Sequence, residues 1–265
     1  MQTGLSSISF KTAAKLCTVY KGIIEMKIAI VTAMPEESHA ILKKGELIKK
    51  SPLGARTASS CRIAGHDVTL VEAGIGMLNA GWAATILAAE SPDLLISAGF
   101  GGGILPGLVV GDVVIAEKVL HWTGNVFEQV EAMFYGQQIT NSQAPLRGEF
   151  ITIDALMDKK QLATILPQNI CRPLVEMESA AVVRVAAEND IPFLGVRAVS
   201  DPWDEELEFS INELCDDSKR IRPQMVAATI LKRPGIIFQF IRLYRNSRIA
   251  ARSLGSSVER LLSQM

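Results

Sequence analysis

Several short runs in this chain are apolar on nearly every residue, and that feature sets what it can fold into. Lys27-Ile-Ala-Ile-Val-Thr32, Leu94-Leu-Ile-Ser97 and Phe193-Leu-Gly-Val-Arg-Ala-Val199 read as strands without a polar face. Strands of that kind need cover on both sides of the sheet. Between them lie helical stretches that begin at Glu36, at Asn79 and just after Glu178. The alternation predicts an α/β fold on a largely parallel or mixed sheet. Residues 68–73, 112–116 and 149–153 add further strands.

One domain accommodates all of this. The 265 residues hold no Pro- or Ser-rich linker and no internal repeat, and this length buries a core without staples. Residues 26–265 are read as a single domain, with 232–265 a basic amphipathic helical tail and 1–25 a peripheral extension. Met26 stands immediately before the first strand, where a translational start would fall. The extension lacks the continuous apolar segment of a secretory signal, and no run supplies the ~18 apolar residues of a membrane helix. With 27 basic and 28 acidic residues, the formal charge of -1 gives no electrostatic reason to expect nucleic acid. Cys17, Cys61, Cys171 and Cys215 form no C-x-x-C pair, which excludes the usual zinc and thioredoxin spacings and fits reduced thiols in a cytoplasmic protein.

In open α/β sheets, ligands bind beyond the carboxyl ends of the strands. Here those ends collect polar residues: Met34-Pro-Glu-Glu37, Gly99-Phe-Gly-Gly102, Ser200-Asp201, and the pair Glu176 and Glu178 around Met177. Carboxylates converging on one rim suit acid–base chemistry without a metal. Each also has a plainer reading. Glu36, Glu37 and Glu178 favour helix N-termini through the dipole, Asp201 before Pro202 fits a turn or cap, and the glycine run fits a tight turn. Arg197 is different, because a cation inside an apolar strand demands a partner. His39, His66 and His121 lack metal spacing and read as surface or satisfied interior residues. Gly74-Ile-Gly76 lacks the third glycine of a dinucleotide fingerprint and no Walker lysine motif occurs, which disfavours Rossmann dehydrogenases and P-loop NTPases. Neither a cofactor nor a metal is expected.

Five segments in order, Lys27-Ile-Ala-Ile-Val-Thr-Ala-Met-Pro-Glu-Glu37, Glu72-Ala-Gly-Ile-Gly76, Gly99-Phe-Gly-Gly-Gly103 with Gly111-Asp-Val-Val114, Val175-Glu-Met-Glu-Ser179 and Val196-Arg-Ala-Val-Ser-Asp201, resemble the nucleoside phosphorylases and nucleosidases. The branch they look most like is the 5'-methylthioadenosine/S-adenosylhomocysteine nucleosidases. The resemblance implies a three-layer α/β/α nucleoside phosphorylase-like fold around a twisted mixed sheet. It also implies a homo-oligomer, with a dimer favoured, that cleaves the N-glycosidic bond of a small purine nucleoside. By motif position Asp201 would hydrogen-bond or protonate purine N7, with Ser200 orienting it. Glu178 would hold ribose hydroxyls and Met177 would pack against the sugar. Glu37 would activate or position the attacking water, with Arg197 nearby. Glu176, Met34 and Gly101 fall within the same motifs and are assigned to the substrate pocket.

Two positions depart from that branch. Phe100 stands where it has a serine beside the ribose, and Leu156 where a phenylalanine covers the adenine, so the 5' substituent of the substrate is left open. Water is favoured over phosphate as nucleophile. Phosphate needs donors and positive charge, yet the first loop has no arginine, and Ser97 and Phe100 stand where a phosphorylase has an arginine and a serine.

The tail points elsewhere. From Lys232 onward there are seven basic residues and only Glu259, a net +6, with an apolar stripe of Ile236, Ile237, Phe240, Ile241 and Tyr244. Such a helix can lie on the anionic inner membrane surface; the plainer reading packs it on the sheet with a basic outer face. The tail, with Ser200-Asp-Pro-Trp-Asp-Glu-Glu-Leu207, is also similar to the hopanoid-associated phosphorylase-like branch, which is implied to release adenine from an adenosylated lipid. A nucleoside-binding protein without turnover is the remaining alternative, disfavoured because Glu37, Glu178 and Asp201 all occupy motif positions. The acidic run 204–217 is read as a solvated loop.

Overall fold

The computed structural model describes residues 25–54, 56–139, 145–155, 157–205, 223–233, 235 and 237–265. In chain order these form β1 (Lys27–Thr32), α1 (Pro35–Leu42), β2 (Glu46–Leu53), β3 (Arg56–Ile63), β4 (His66–Glu72), α2 (Met77–Ala88), β5 (Leu94–Gly103), β6 (Val113–Trp122) and β7 (Phe127–Gln129). There follow β8 (Leu146–Ile153), α3 (Lys159–Ile165), β9 (Leu174–Glu176), α4 (Ser179–Glu188), β10 (Phe193–Asp201), α5 (Pro223–Lys232) and α6 (Ile237–Leu262).

These strands make one mixed sheet. β1 lies between β4 and β5, parallel to both, and the β2–β3 hairpin extends the sheet antiparallel beyond β4. On its other side β5 pairs parallel with β10, and the path β10–β6–β8–β9 returns to β5, closing five strands into a ring. Strand alternation builds the layers. Ile28 and Ile30 of β1 pack with Ile41 of α1 and Leu254 and Val258 of α6. Ala29 and Val31 face the other way, into Ala83 and Ala84 of α2 and Val182 and Val183 of α4. The three-layer α/β/α arrangement follows directly from strands that are apolar on both faces.

One edge of β5 positions the site. β1 covers that edge only as far as Ser97, and β9 takes it up again at Gly102 and Gly103. Side chains from the start of α1 and from the β9–α4 junction enter the interval between them.

Some sequence expectations change. The glycine run is not a turn but the second half of β5, with no left-handed residue in it. The β2–β3 hairpin and α3 carry no strong periodic signal and went unread. Half of the tail follows its plainer reading: Ala250, Leu254, Val258, Leu261 and Leu262 are buried, and α6 comes so close to α1 that a Cβ on Gly255 would collide with the Ala40 carbonyl. His66 is a satisfied interior residue, its ring between the Met26 N–H and the Leu262 carbonyl. Among the described residues no helix is long and apolar enough to cross a membrane. Of the extension 1–25, residues 1–24 lie outside the described residues.

Candidate active site

Glu36 and Glu37 look alike in sequence and separate completely in space. Glu36 is exposed, whereas Glu37 is buried at 2 % exposure. Pro35 starts α1, and the Glu37 carboxylate bends back to accept from the Ala33 and Met34 N–H groups, both at 2.9 Å. Its other oxygen accepts the Phe100 N–H on the open edge of β5 at 2.8 Å. Gly99 has to be glycine, since its Cβ would sit 2.8 Å from that carboxylate. Burial raises the Glu37 pKa against the lowering effect of these donors and of Arg197.

Glu176 and Glu178 flank the turn into α4. Glu176 caps the helix, accepting from the Ser179 N–H at 2.8 Å and the Glu178 N–H at 3.1 Å. The Thr152 hydroxyl donates to its other oxygen and itself accepts the Ala180 N–H. Glu178 accepts the Gly76 N–H at 2.8 Å, across from the β4–α2 loop. That loop needs glycine at 74 and 76, whose φ values are +87° and +97°.

Arg197, 1 % exposed on β10, ties the acids together. It donates to Glu176 at 2.5 Å, to Ser97 at 3.0 Å and to Ser179 at 3.1 Å, and it lies 3.7 Å from Glu178. The partner demanded by a buried cation is thus Glu176. Burial alone would raise the Glu176 pKa, but the guanidinium and the hydroxyl and backbone donors hold it below the usual range. Glu178 has the weaker share: burial and the charge of Glu176 push it up to about 7. One arginine serves three buried carboxylates.

Asp201 belongs to a second cluster further along β5. The register sets it beside Gly102, three residues or roughly 10 Å of strand beyond Gly99. The Ser200 hydroxyl donates to one carboxylate oxygen at 2.6 Å, and the Lys159 ammonium contacts the other. Lys159 also donates to the Pro202 carbonyl at 2.8 Å. A Cβ on Gly102 would lie 2.5 Å from Asp201 Oδ2, so this glycine makes room for the ion pair.

The structure therefore brings Glu37, Glu176, Glu178 and Arg197 into one network, and Ser200 and Asp201 into another. Met34 contributes its N–H to Glu37, and Met177 packs against an apolar cluster with Ile151 and Val175. The Gly101 carbonyl lies 3.5 Å from the Ser200 hydroxyl. Phe100 reaches Glu37 through its backbone while its ring packs with the apolar cluster under α1 and α6. Leu156 lies outside the described residues. Sequence reasoning missed Lys159 and Thr152. Lys159 follows Asp158, whose carboxylate accepts the Lys160 and Gln161 N–H groups, and that N-cap was the available signal for α3.

The fold and this arrangement of acids define a class. The phosphorylase superfamily matches residues 27–232, and the chain belongs to that family. Within it, the chain is 30 % identical over 215 residues to a 5'-methylthioadenosine/S-adenosylhomocysteine nucleosidase of Listeria welshimeri, covering 71 % of this chain and 91 % of that one. A Bacillus thuringiensis protein of the same name is 31 % identical over 215 residues, covering 73 % and 93 %. The solved Neisseria meningitidis nucleosidase of that name superposes with a TM-score of 0.65 at 20 % identity, over 91 % of this chain and all of that one. The futalosine hydrolase of Helicobacter pylori gives 0.64 at 19 %, over 90 % of this chain and all of that one. At those identities the solved structures speak for the fold.

Proposed function

We propose that this chain is a purine nucleosidase that hydrolyses the N-glycosidic bond of an adenine nucleoside and releases adenine. The observation that carries this reading is the charge balance at the open edge of β5. Glu37, Glu176 and Glu178 surround Arg197, and Glu176 already holds it. A phosphate nucleophile brings further negative charge and needs free donors. Water needs only an acceptor for its proton, and Glu37 supplies one.

In this mechanism the bond between C1' and the purine nitrogen breaks, and its electron pair leaves with the base. Positive charge grows on the sugar, where Glu37 and Glu178 stabilise it. The water oxygen bonds to C1' while its proton passes to Glu37, a carboxylate whose burial has strengthened it as a base. N7 takes a proton as the base departs, passed through Asp201 from the Lys159 ammonium that contacts it, while the Ser200 hydroxyl orients the carboxyl group. Glu178 accepts from ribose hydroxyls, and Met177 lies against the sugar.

The test is adenine release from 5'-methylthioadenosine, S-adenosylhomocysteine and adenosine, each with and without phosphate. Release that does not need phosphate is expected. Strict phosphate dependence would overturn hydrolysis, and saturable nucleoside binding without release would make the chain a binder. Turnover confined to a lipid-linked adenosine would change the substrate and leave the chemistry standing.

A further inference from the structure

The first half of α6 does not share the burial of the second. Phe238 is 77 % exposed, Tyr244 64 % and Ile241 55 %, and just before the helix Leu231 of α5 is 84 % exposed. At 3.6 residues per turn, Ile237, Phe238, Ile241 and Tyr244 fall within about 100–120° of arc. Arg245, Arg248 and Arg252 continue the same face toward the C-terminus, all exposed, and the Arg248 guanidinium lies over the Tyr244 ring at 5.8 Å. Lys232 and Arg233 flank it, and no acid occurs between residues 223 and 258. The face is at once apolar and cationic.

A second observation extends it. Beside Arg252 opens a groove of about 460 Å³, lined by Arg252, Ser253, Ser256, Ser257 and Arg260 of α6 and by Gly111 of the loop before β6. Among the described residues neither Arg252 nor Arg260 has a carboxylate partner. Asp112, at the same groove, has a carboxylate oxygen occupied by the Val109 N–H. Two guanidinium groups and three hydroxyls in one groove present donors to an anionic oxygen cluster.

We infer that this face of α5 and α6 docks on an anionic lipid bilayer. Phe238, Ile241 and Tyr244 enter the headgroup boundary, and Arg245, Arg248 and Arg252 with the serine groove meet lipid phosphates. Charge selects this occupant. Residues from 232 onward carry a net +6 and the rest of the chain -7, so a second copy pairing through this face would set arginine against arginine. An anionic surface attracts the same residues. Glu205, four residues after Asp201, accepts from Arg242 of α6 at 2.7 Å, which ties the helix to the segment that follows β10.

The experiment is flotation of the full chain with phosphatidylcholine vesicles, with and without about 30 mol % phosphatidylglycerol. Binding is expected only to the anionic vesicles, weakening at about 0.5 M salt, where screening shortens to ~4 Å. Phe238→Glu with Ile241→Glu, and separately Arg245→Glu with Arg248→Glu, should each weaken it by roughly tenfold or more. Both pairs are exposed, so turnover of a soluble nucleoside should stay at the wild-type rate. Absence of wild-type binding, equal binding to neutral vesicles, or unchanged binding by both variants would overturn the inference. So would variants that change the oligomeric state in size-exclusion chromatography, which would assign the face to a second copy.

Discussion

Replacing Arg197 by Met should destabilise the chain by about 3–5 kcal/mol, because it strands a buried carboxylate and not merely because it removes a hydrogen bond. The Glu176 side chain is fully buried and that of Arg197 is 2 % exposed. Without the guanidinium, Glu176 keeps only the Thr152 hydroxyl and the N–H groups of Glu178 and Ser179. Those donors cannot offset the loss of solvation of a full charge in a low-dielectric site. For a chain of this length the loss lowers Tm by roughly 6–10 °C and removes a large part of a typical 5–15 kcal/mol total. Urea denaturation followed by circular dichroism at pH 5 and pH 8 measures it. The deficit should be smaller at pH 5: without Arg197, burial raises the Glu176 pKa, and the folded variant keeps a proton there that the unfolded chain releases as pH rises. Adding Glu176→Gln removes the charge and keeps an acceptor for the Ser179 N–H, so the double variant should return to within about 2 kcal/mol of wild type. A deficit under about 1 kcal/mol at pH 8, or one that ignores pH and the second substitution, would refute the reasoning.

Asp201→Asn should fold normally and lose about 10²–10⁴-fold in kcat for adenine release, the usual worth of general acid–base help; near-normal turnover would remove it from the mechanism. Lys159→Met should cost activity without comparable loss of Tm, since its ammonium contacts Asp201 at the edge of the core; parallel losses of both would make it a structural residue. Glu178, raised to about 7 from 4.5, holds a proton in the folded chain across that window which the unfolded chain has released, so stability falls as pH rises through it. Glu178→Gln should remove a dependence of roughly 3 kcal/mol between about pH 5 and 8, read as the difference between the two urea titrations. Gly255→Val should lower Tm by forcing α6 off the Ala40 carbonyl, while Gly107→Ala, with open space around it but φ at +118°, should cost only backbone strain of about 1–2 kcal/mol.

The sequence showed the layers because they depend on periodicity, and the site only in part because its geometry depends on pairing. β1 was read to the residue, since an apolar run bounded by Pro35 admits little else. The plainer reading of the glycine run, a tight turn, fails although glycine signals turns locally. Here its cause is distant: the carboxylates of Glu37 and Asp201 lie where side chains on Gly99 and Gly102 would be. Arg197 announced a buried partner but not which of three glutamates it chose. Glu205, within an acidic run read as a solvated loop, is 7 % exposed because Arg242 and Asn246 of α6 reach it; residues 206–222 of that run lie outside the described residues. Lys159 was invisible because its contact crosses 42 residues to Asp201, and no local pattern marks such a pair.

The shortage of positive charge links fold to reaction. Closing five strands into a ring leaves one edge of β5 uncovered between β1 and β9, and three carboxylates enter there with a single guanidinium. Burying them costs stability, which the helix-capping bonds of Glu176 and the backbone donors to Glu37 and Glu178 partly offset. On the proposed hydrolytic reading, this anionic rim suits a developing sugar cation better than it suits a phosphate nucleophile. The same acids cannot all be ionised at low cost: Glu176 holds Arg197 directly, and Glu178, buried beside the charge of Glu176, is the one pushed up to about 7. A ribose hydroxyl donates more strongly to the ionised carboxylate than to the neutral acid. Nucleoside affinity should therefore rise between about pH 6 and 8 in the wild type and stay flat in Glu178→Gln. Flat affinity in both would separate Glu178 from the sugar.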